Sequence, residues 1–525
     1  MKISLLDTTL RDGSQCENVS FSVNDKLKTL KLLDSFGISY IEAGTPASNK
    51  TDREVFEKAR EISLKNSKLC AFGSTVRKGM KPEEDENLKT LLESGAEVIC
   101  ICGKASEAQA LEIIGISGQE NLRLITSTIE YIKSNNREVI FDAEHFFDSY
   151  KTNKDYAIKV IEAAISGNAD IICLCDTNGG CLPDDVSLIV KDIVRRFKNT
   201  KIGIHCHDDT GCAVANSLAA IKEGAVHIQG TFNGIGERCG NANLSTLIPN
   251  IMLKTDFEAD GKLDALSLTA KTIAEITNKP IHSNKPYVGR SAFAHKGGLH
   301  TDGMLKESSS YEHIDPALVG NERRFLIAEV SGRSTVLAKY SALSHNKSIT
   351  KDSPEVQSIL EKIKEMEHLG YSFEAADASF ELIVLNALSK YKPHFRLILY
   401  KVIDEYPCID GELQSSATIK IAVNGESEIT ASLGNGPVNA LDLALRKALS
   451  VFYPQIRNMY LSDYKVRVLD ENNATASLTR VIIESTDGVR QWSTVGVSPD
   501  IIEASLIALI DSVEYFLHTT EEETK

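Results

Sequence analysis

The chain of 525 residues exceeds what one ordinary core serves, so roughly three or four domain-sized units are expected, fewer if one is a large barrel. Its formal charge of -15 and pI of about 5.4, without a lysine-arginine tract, exclude a general nucleic-acid surface; an anionic ligand needs a local basic pocket. The opening MKISLLDTTLRDG has one lysine and a short apolar stretch before Asp7, too little for a secretion signal or a membrane span, so a cytoplasmic protein without a membrane partner is expected.

In chain order, short β-prone runs appear at 3–7, 40–44, 69–74, 98–103, 138–144, 171–176, 202–207 and 226–232. Between them, segments such as 24–37 and 153–169 carry apolar residues at helical spacing and end at or near glycine. Strand alternating with helix predicts a parallel sheet, and eight repeats within the first 235 residues suit a (β/α)8 TIM barrel; a doubly wound open sheet is the alternative. The 11 cysteines lie largely within apolar runs such as VICIC and IICLC, which predicts buried free thiols rather than disulfides or a structural zinc site.

A barrel collects its chemistry at the carboxyl ends of its strands. There stand Arg11 and Asp12 after the first run, Asp142, Glu144 and His145 at the fifth, and Asp176, Thr177 and Asn178 at the sixth. His205 and His207 follow at the seventh, and Asn233, Glu237, Arg238 and Asn241 after the eighth. At alternate strand positions the two imidazoles project the same way, although buried histidines are often merely hydrogen-bonded. Barrel closure makes the first, seventh and eighth strands neighbours, so Asp12, His205, His207 and Asn241 can converge. Two nitrogens and two oxygens with open positions suit Mn2+, Mg2+, Co2+ or Zn2+.

Other rim residues each carry two readings. Arg11 is either a rim salt bridge or an electrophile steadying an oxyanion, and Glu144 either a lysine partner or a group that orients or deprotonates substrate. GIGERCG (234–240) lacks the spacing of a dinucleotide loop; it reads as a tight turn, a means of presenting Asn241 to a ligand, or both.

The segments LLDTTLRDGSQ, FDAEHFFD, LCDTNGG, HCHDDTGCAVANSLAAIKEGA, GTFNGIGERCGNANL and FAHKGGLHTDG together resemble the acyl-CoA-condensing branch of the metal-dependent (β/α)8 lyases and synthases. That branch includes isopropylmalate, homocitrate and citramalate synthases, and the likeness continues through YEHIDPALVGNERRFLIAEVSGRS into the C-terminal region. The full pattern is most similar to the long, citramalate-forming members.

The resemblance implies Asp12, His205, His207 and Asn241 as metal ligands, Arg11 as the catalytic arginine, and Glu144 and Thr177 in the substrate pocket. It implies acetyl-CoA chemistry at His300 and Tyr311, the expected base, and acetyl-CoA binding at Glu237. It further implies condensation of pyruvate with acetyl-CoA. A sister synthase acting on a larger 2-oxo acid, a hydroxymethylglutaryl-type lyase, an amidohydrolase and a non-enzymatic amino-acid sensor are the competing readings. Asp208 stands where many relatives have asparagine, which places another carboxylate beside the expected ligands. Arg290, Lys296, Arg323 and Arg324 are candidates for the phosphates of CoA, with a solvated surface as the alternative for each.

Residues 1–265 are thus expected to form the catalytic barrel, 266–370 a helical linker that covers an active site, its own or a partner subunit's, and 371–525 an α+β domain. The charged run EKIKEMEHLG (361–370) reads as an exposed helix. In the last region two ββα-like units recur, with Leu441, Leu445, Leu449 and Phe452 on one helix face and Ile502, Leu506, Leu509 and Val513 on another. Family resemblance implies a regulatory homodimer domain here, with isoleucine as the feedback effector.

Overall fold

The computed structural model describes residues 1–326, 336–337, 353–387, 391–404, 415–469, 477–488 and 490–523. The chain divides into two compact units, one formed by residues 1–293 and 314–323, the other by 294–313 and 324–525. Of the sequence features above, 327–334 of the long family motif and Cys408 lie outside the described residues.

In the first unit, eight strands pair in parallel: β1 (Lys2–Asp7), β2 (Tyr40–Glu42), β3 (Lys68–Ser74), β4 (Val98–Lys104), β5 (Glu138–Glu144), β6 (Ile171–Asp176), β7 (Ile202–Cys206) and β8 (His227–Gly230). β1 is hydrogen-bonded to both β2 and β8, so the sheet closes into the expected barrel. Strict alternation divides each strand between two cores. On β4, Ile99 and Ile101 join the large cluster between sheet and helices, whereas Val98 and Cys100 turn inward to meet Leu6, Cys70, Ile140, Ile171 and Cys173.

The connecting helices begin and end on local signals. Val23–Phe36 starts at a Ser22–Asp25 capping box and stops at Gly37, whose φ of 103° is the left-handed conformation that glycine adopts without steric cost. Pro183–Arg196 has proline in its first turn and Arg195 and Arg196 in its last, where cations oppose the helix dipole. Burial of the apolar faces of these helices contributes about 1.5–3 kcal/mol for each large side chain removed from water, which outweighs the tenths supplied by a charge at a helix end.

In the second unit, the recurring pattern is fuller than the sequence reading. Arg396–Asp404, Ser415–Val423 and Glu426–Gly434 form one antiparallel sheet followed by helix Pro437–Leu449; Tyr460–Val468, Thr479–Thr486 and Gln491–Ser498 form another, followed by helix Ile501–Glu523. Leu441, Leu445, Leu449, Leu506, Leu509 and Val513 are buried in a shared core, with Ile502 and Phe452 partly buried against it. The run 361–370, expected to be an exposed helix, is the last part of helix Pro354–His368 and the turn after it, and it is largely exposed; Ile363 alone turns inward, joining Val356, Ile359 and Leu360 of the same helix in packing on Phe373, Phe380 and Val384. Charge at its outer positions masks an amphipathic face.

Candidate active site

Register brings the chemistry together at the carboxyl rim. On β7, Ile202, Ile204 and Cys206 pack outward in the helix-facing core, which turns the alternate residues, including His205, into the barrel. His207 continues the same row through a bridge to Asn241, and the two imidazole centroids lie 5.2 Å apart. Asp12, in the turn after β1, sets Oδ2 3.8 Å from His205 Nε2, and Asn241 Nδ2 lies 3.2 Å from the same nitrogen.

Asp12, His205, His207 and Asn241 are all buried, and Asp12 Oδ2, His207 Nδ1 and Asn241 Oδ1 have no hydrogen-bond partner among the described residues. Unsatisfied buried polar atoms cost about 1–3 kcal/mol each, so three of them on residues of one rim favour a ligand there. Burial and neighbouring His205 push His207 down to about 4, which leaves its imidazole neutral and its lone pair available. Burial opposes ionisation of Asp12, but the Arg11 guanidinium and both histidines outweigh it and hold the carboxyl below its ordinary range. Two imidazoles, a carboxylate and a side-chain amide are donor types that fit a divalent cation.

The loop after β8 is shaped for this approach. A Cβ at Gly236 would collide with Asn241 Oδ1, and Gly240, at φ +92°, lies against the carbonyl of Gly234. GIGERCG is thus a tight turn, whose bare backbone leaves room for the Asn241 side chain.

Arg11 is held from several sides. Nε donates to Glu42 Oε2 at 2.6 Å, NH1 is paired with Asp12 Oδ1, and the guanidinium carbon sits 4.0 Å above the Phe72 ring. Glu42 is fully buried, and desolvation raises it to about 7 against the pull of Arg11. Glu144 Oε2 pairs with Lys104 Nζ at 2.5 Å, and Thr177 Oγ1 accepts from the His145 backbone N–H at 2.8 Å.

A second tier escaped the sequence reading. His205 Nδ1 lies 2.8 Å from Gln229 Oε1, and Gln229 Nε2 donates to Asp142 Oδ1 at 2.7 Å, so a buried amide orients the ring. Glu42, Phe72, Lys104 and Gln229 were findable as inward positions near the ends of short strands, but that requires the register.

The other expected residues have surroundings of their own. His300 and Tyr311 belong to the second unit, where their rings stack at 4.4 Å on an exposed surface. The Glu237 side chain is exposed, 3.5 Å from Arg238, which itself holds Asp209 and the carbonyl of Thr177. Asp208 accepts from the Ala213 backbone N–H at 2.9 Å, so its carboxylate serves the start of the following helix. Lys296 pairs with Glu374 at 2.6 Å and Arg324 with Asp377 at 3.2 Å, so each already has an anionic partner. The ten described cysteines are free thiols, six of them buried.

Barrel and rim together define a (β/α)8-barrel enzyme. A family model described as HMGL-like matches residues 2–273, one described as homocitrate synthase post-HMGL domain-like matches 287–370, and one described as LeuA allosteric (dimerisation) domain matches 374–517. The chain is 48% identical over 524 residues to an (R)-citramalate synthase of Aquifex aeolicus, covering 99% of each chain. It is 49% identical over 522 residues to another from Geobacter sulfurreducens, covering 99% of this chain and 98% of that one. A 2-isopropylmalate synthase of Methanocaldococcus jannaschii is 29% identical over 99% of this chain and 96% of its own length. The chain belongs to the HMGL-like family, alongside the (R)-citramalate synthases.

Proposed function

We propose that this enzyme is an acyltransferase that condenses pyruvate with acetyl-CoA and hydrolyses the resulting thioester, releasing (R)-citramalate and CoA. The observation that carries this reading is the near-half identity to (R)-citramalate synthases along essentially the whole of both chains. The LeuA-type C-terminal match favours a synthase over a lyase, and the lower identity to a 2-isopropylmalate synthase favours pyruvate over a branched 2-oxo acid.

Asp12, His205, His207 and Asn241 would hold the divalent metal, which when bound acts as a Lewis acid on the 2-oxo acid. Arg11, fixed by Glu42 and Phe72, supplies the charge that steadies the oxygen left negative when the new carbon–carbon bond forms. Glu144 and Thr177 position the 2-oxo acid. We assign the base that takes a proton from the acetyl methyl group to His300 with Tyr311, whose stacked rings hold imidazole beside phenol, and contact with acetyl-CoA to Glu237. Water then attacks the thioester carbonyl, the carbon–sulfur bond breaks, and CoA leaves as its thiol.

Isoleucine is the effector we assign to the LeuA-type region, a homodimer its assembly, and the cytoplasm its setting. No helix among the described residues is long and apolar enough to cross a membrane.

The test is a CoA-release assay with pyruvate, 2-oxoisovalerate and 2-oxoglutarate, each with and without a chelator, and with added isoleucine. Pyruvate should be turned over fastest, chelation should abolish the rate, Mn2+ or Mg2+ should restore it, and isoleucine should lower it. Absence of pyruvate turnover would overturn the reading.

A further inference from the structure

The interior of a (β/α)8 barrel is usually filled by branched aliphatic side chains. Here its inward positions include Cys70 on β3, Cys100 on β4, and Cys173 and Cys175 on β6, all buried, with the carboxylate of Asp142 among them. None of these thiols has a part in the condensation proposed above.

Three of the groups converge. One ligand atom each from Asp142, Cys173 and Cys175 lies within 4.8 Å of the others, and Cys100 Sγ donates to Asp142 Oδ2 at 3.2 Å. In a tetrahedral site with metal–sulfur bonds of about 2.3 Å, neighbouring ligand atoms are about 3.8 Å apart, so this set closes on an ion by moving about 1 Å. Two thiolates and one carboxylate suit a soft or borderline ion, whereas the His205–His207 site presents nitrogen and oxygen.

We propose that Asp142, Cys173 and Cys175 form a second cation site, selective for soft divalent ions such as Cd2+ or Zn2+, whose occupation inhibits the enzyme by drawing Asp142 away from Gln229. Burial pushes Cys173 up to about 12, and the hydrogen bond with Cys173, added to by burial, holds Cys175 well above the ordinary thiol range, so both are protonated at rest. The ion displaces both thiol protons to solvent and forms two metal–sulfur bonds and one metal–oxygen bond; no redox partner is needed. Asp142 then no longer accepts from Gln229, and His205 loses the support that fixes its ring. The binding half stands by itself; the inhibition half rests on the proposed condensation.

The experiment titrates Cd2+ into the full-length enzyme with Mn2+ in excess, following thiolate-to-cadmium absorption in the ultraviolet and CoA release in parallel. A band that saturates at one equivalent is expected, and condensation should fall about tenfold or more, the scale of losing the hydrogen bond that orients a metal-binding histidine. Further Mn2+ should not relieve the inhibition. In C173A/C175A both the band and the inhibition should disappear while the rate without Cd2+ persists. If that variant does not fold, C175A alone should show a weaker band per bound ion and a weaker affinity. An equal band in wild type and variant would locate the ion at other thiols, such as Cys16, Cys212 or Cys239, and overturn the site. Relief by Mn2+ would overturn the inhibitory mechanism and point to competition at the histidine pair. Absence of condensation before any Cd2+ is added, with the band still forming on titration, would count against the proposed reaction and leave the site standing.

Discussion

Gln229 carries neither charge nor nucleophile, yet it joins the two most consequential groups inside the barrel, accepting from His205 Nδ1 and donating to Asp142. That bond leaves His205 Nε2 as the nitrogen turned toward Asp12 and Asn241. Replacing Gln229 with leucine removes the support while filling similar volume. A loss of about 10–100-fold in apparent metal affinity is expected from such a change, with much of the rate recovered at saturating Mn2+. A metal titration of CoA release checks this, with a thermal melt to confirm folding; unchanged affinity would show that the ring is held without the amide. Asp12, His205, His207 and Asn241 were visible in the sequence because metal-ligand residue types stood at inferred strand ends. Gln229 and Glu42 were not, because HIQG and YIE are too short to reveal which side faces inward, and the bond from Asp208 to the start of the next helix is a contact that its sequence position does not show.

Helix Ile501–Glu523 shows how one element gathers interactions from several others. Its Asp511 accepts from Ser379 Oγ, its Glu514 holds His394, and Ser512 accepts from the indole N–H of Trp492, whose ring stacks on Phe516. Burial raises Asp511 to about 7, well above its ordinary 3.8, so the folded state binds this proton more tightly than the unfolded chain does. Its contribution is complete below about pH 4 and is lost as the pH rises to about 7, where a buried charge must be carried. Burial works against the proton on His394, but Glu514 and Glu521 prevail and raise its pKa, so its contribution also declines as the pH rises. D511N removes the first of these terms and keeps an acceptor for Ser379. Urea unfolding followed by the fluorescence of Trp492, the chain's one tryptophan, should show stability falling less for D511N than for wild type between about pH 5 and about pH 8. Parallel losses would assign the pH dependence elsewhere. Strand Arg396–Asp404, absent from the sequence reading, marks the limit at this scale: a largely exposed sheet edge with a register shift between Leu397 and Leu399 has no clean apolar alternation to detect.

At the scale of the whole molecule, the face of the first C-terminal sheet that turns away from its helix carries an unusual load of apolar side chains. Ladder register aligns Leu399 with Lys420 and Ile429, and Ile403 with Ser416 and Leu433. Leu399, Ile403, Ile429 and Leu433 remain 50%, 39%, 58% and 62% exposed, while inward Ile419 and Ile421 are fully buried against the helix. A sheet with one packed face ordinarily turns polar residues outward, and large apolar side chains flanking a polar central strand mark an interaction surface. A second copy of the chain is the occupant we propose, because this sheet lies in the region matched by the LeuA dimerisation model. Light scattering on the eluted protein should give twice the chain mass of 57.5 kDa. I429D/L433D should give a single chain mass with an unchanged far-ultraviolet spectrum, since both positions point away from the core and carboxylates remain hydrated there until the faces meet. If the wild type is already monomeric, the proposed dimer fails; if the variant stays at twice the chain mass, the dimer stands but another surface must join it.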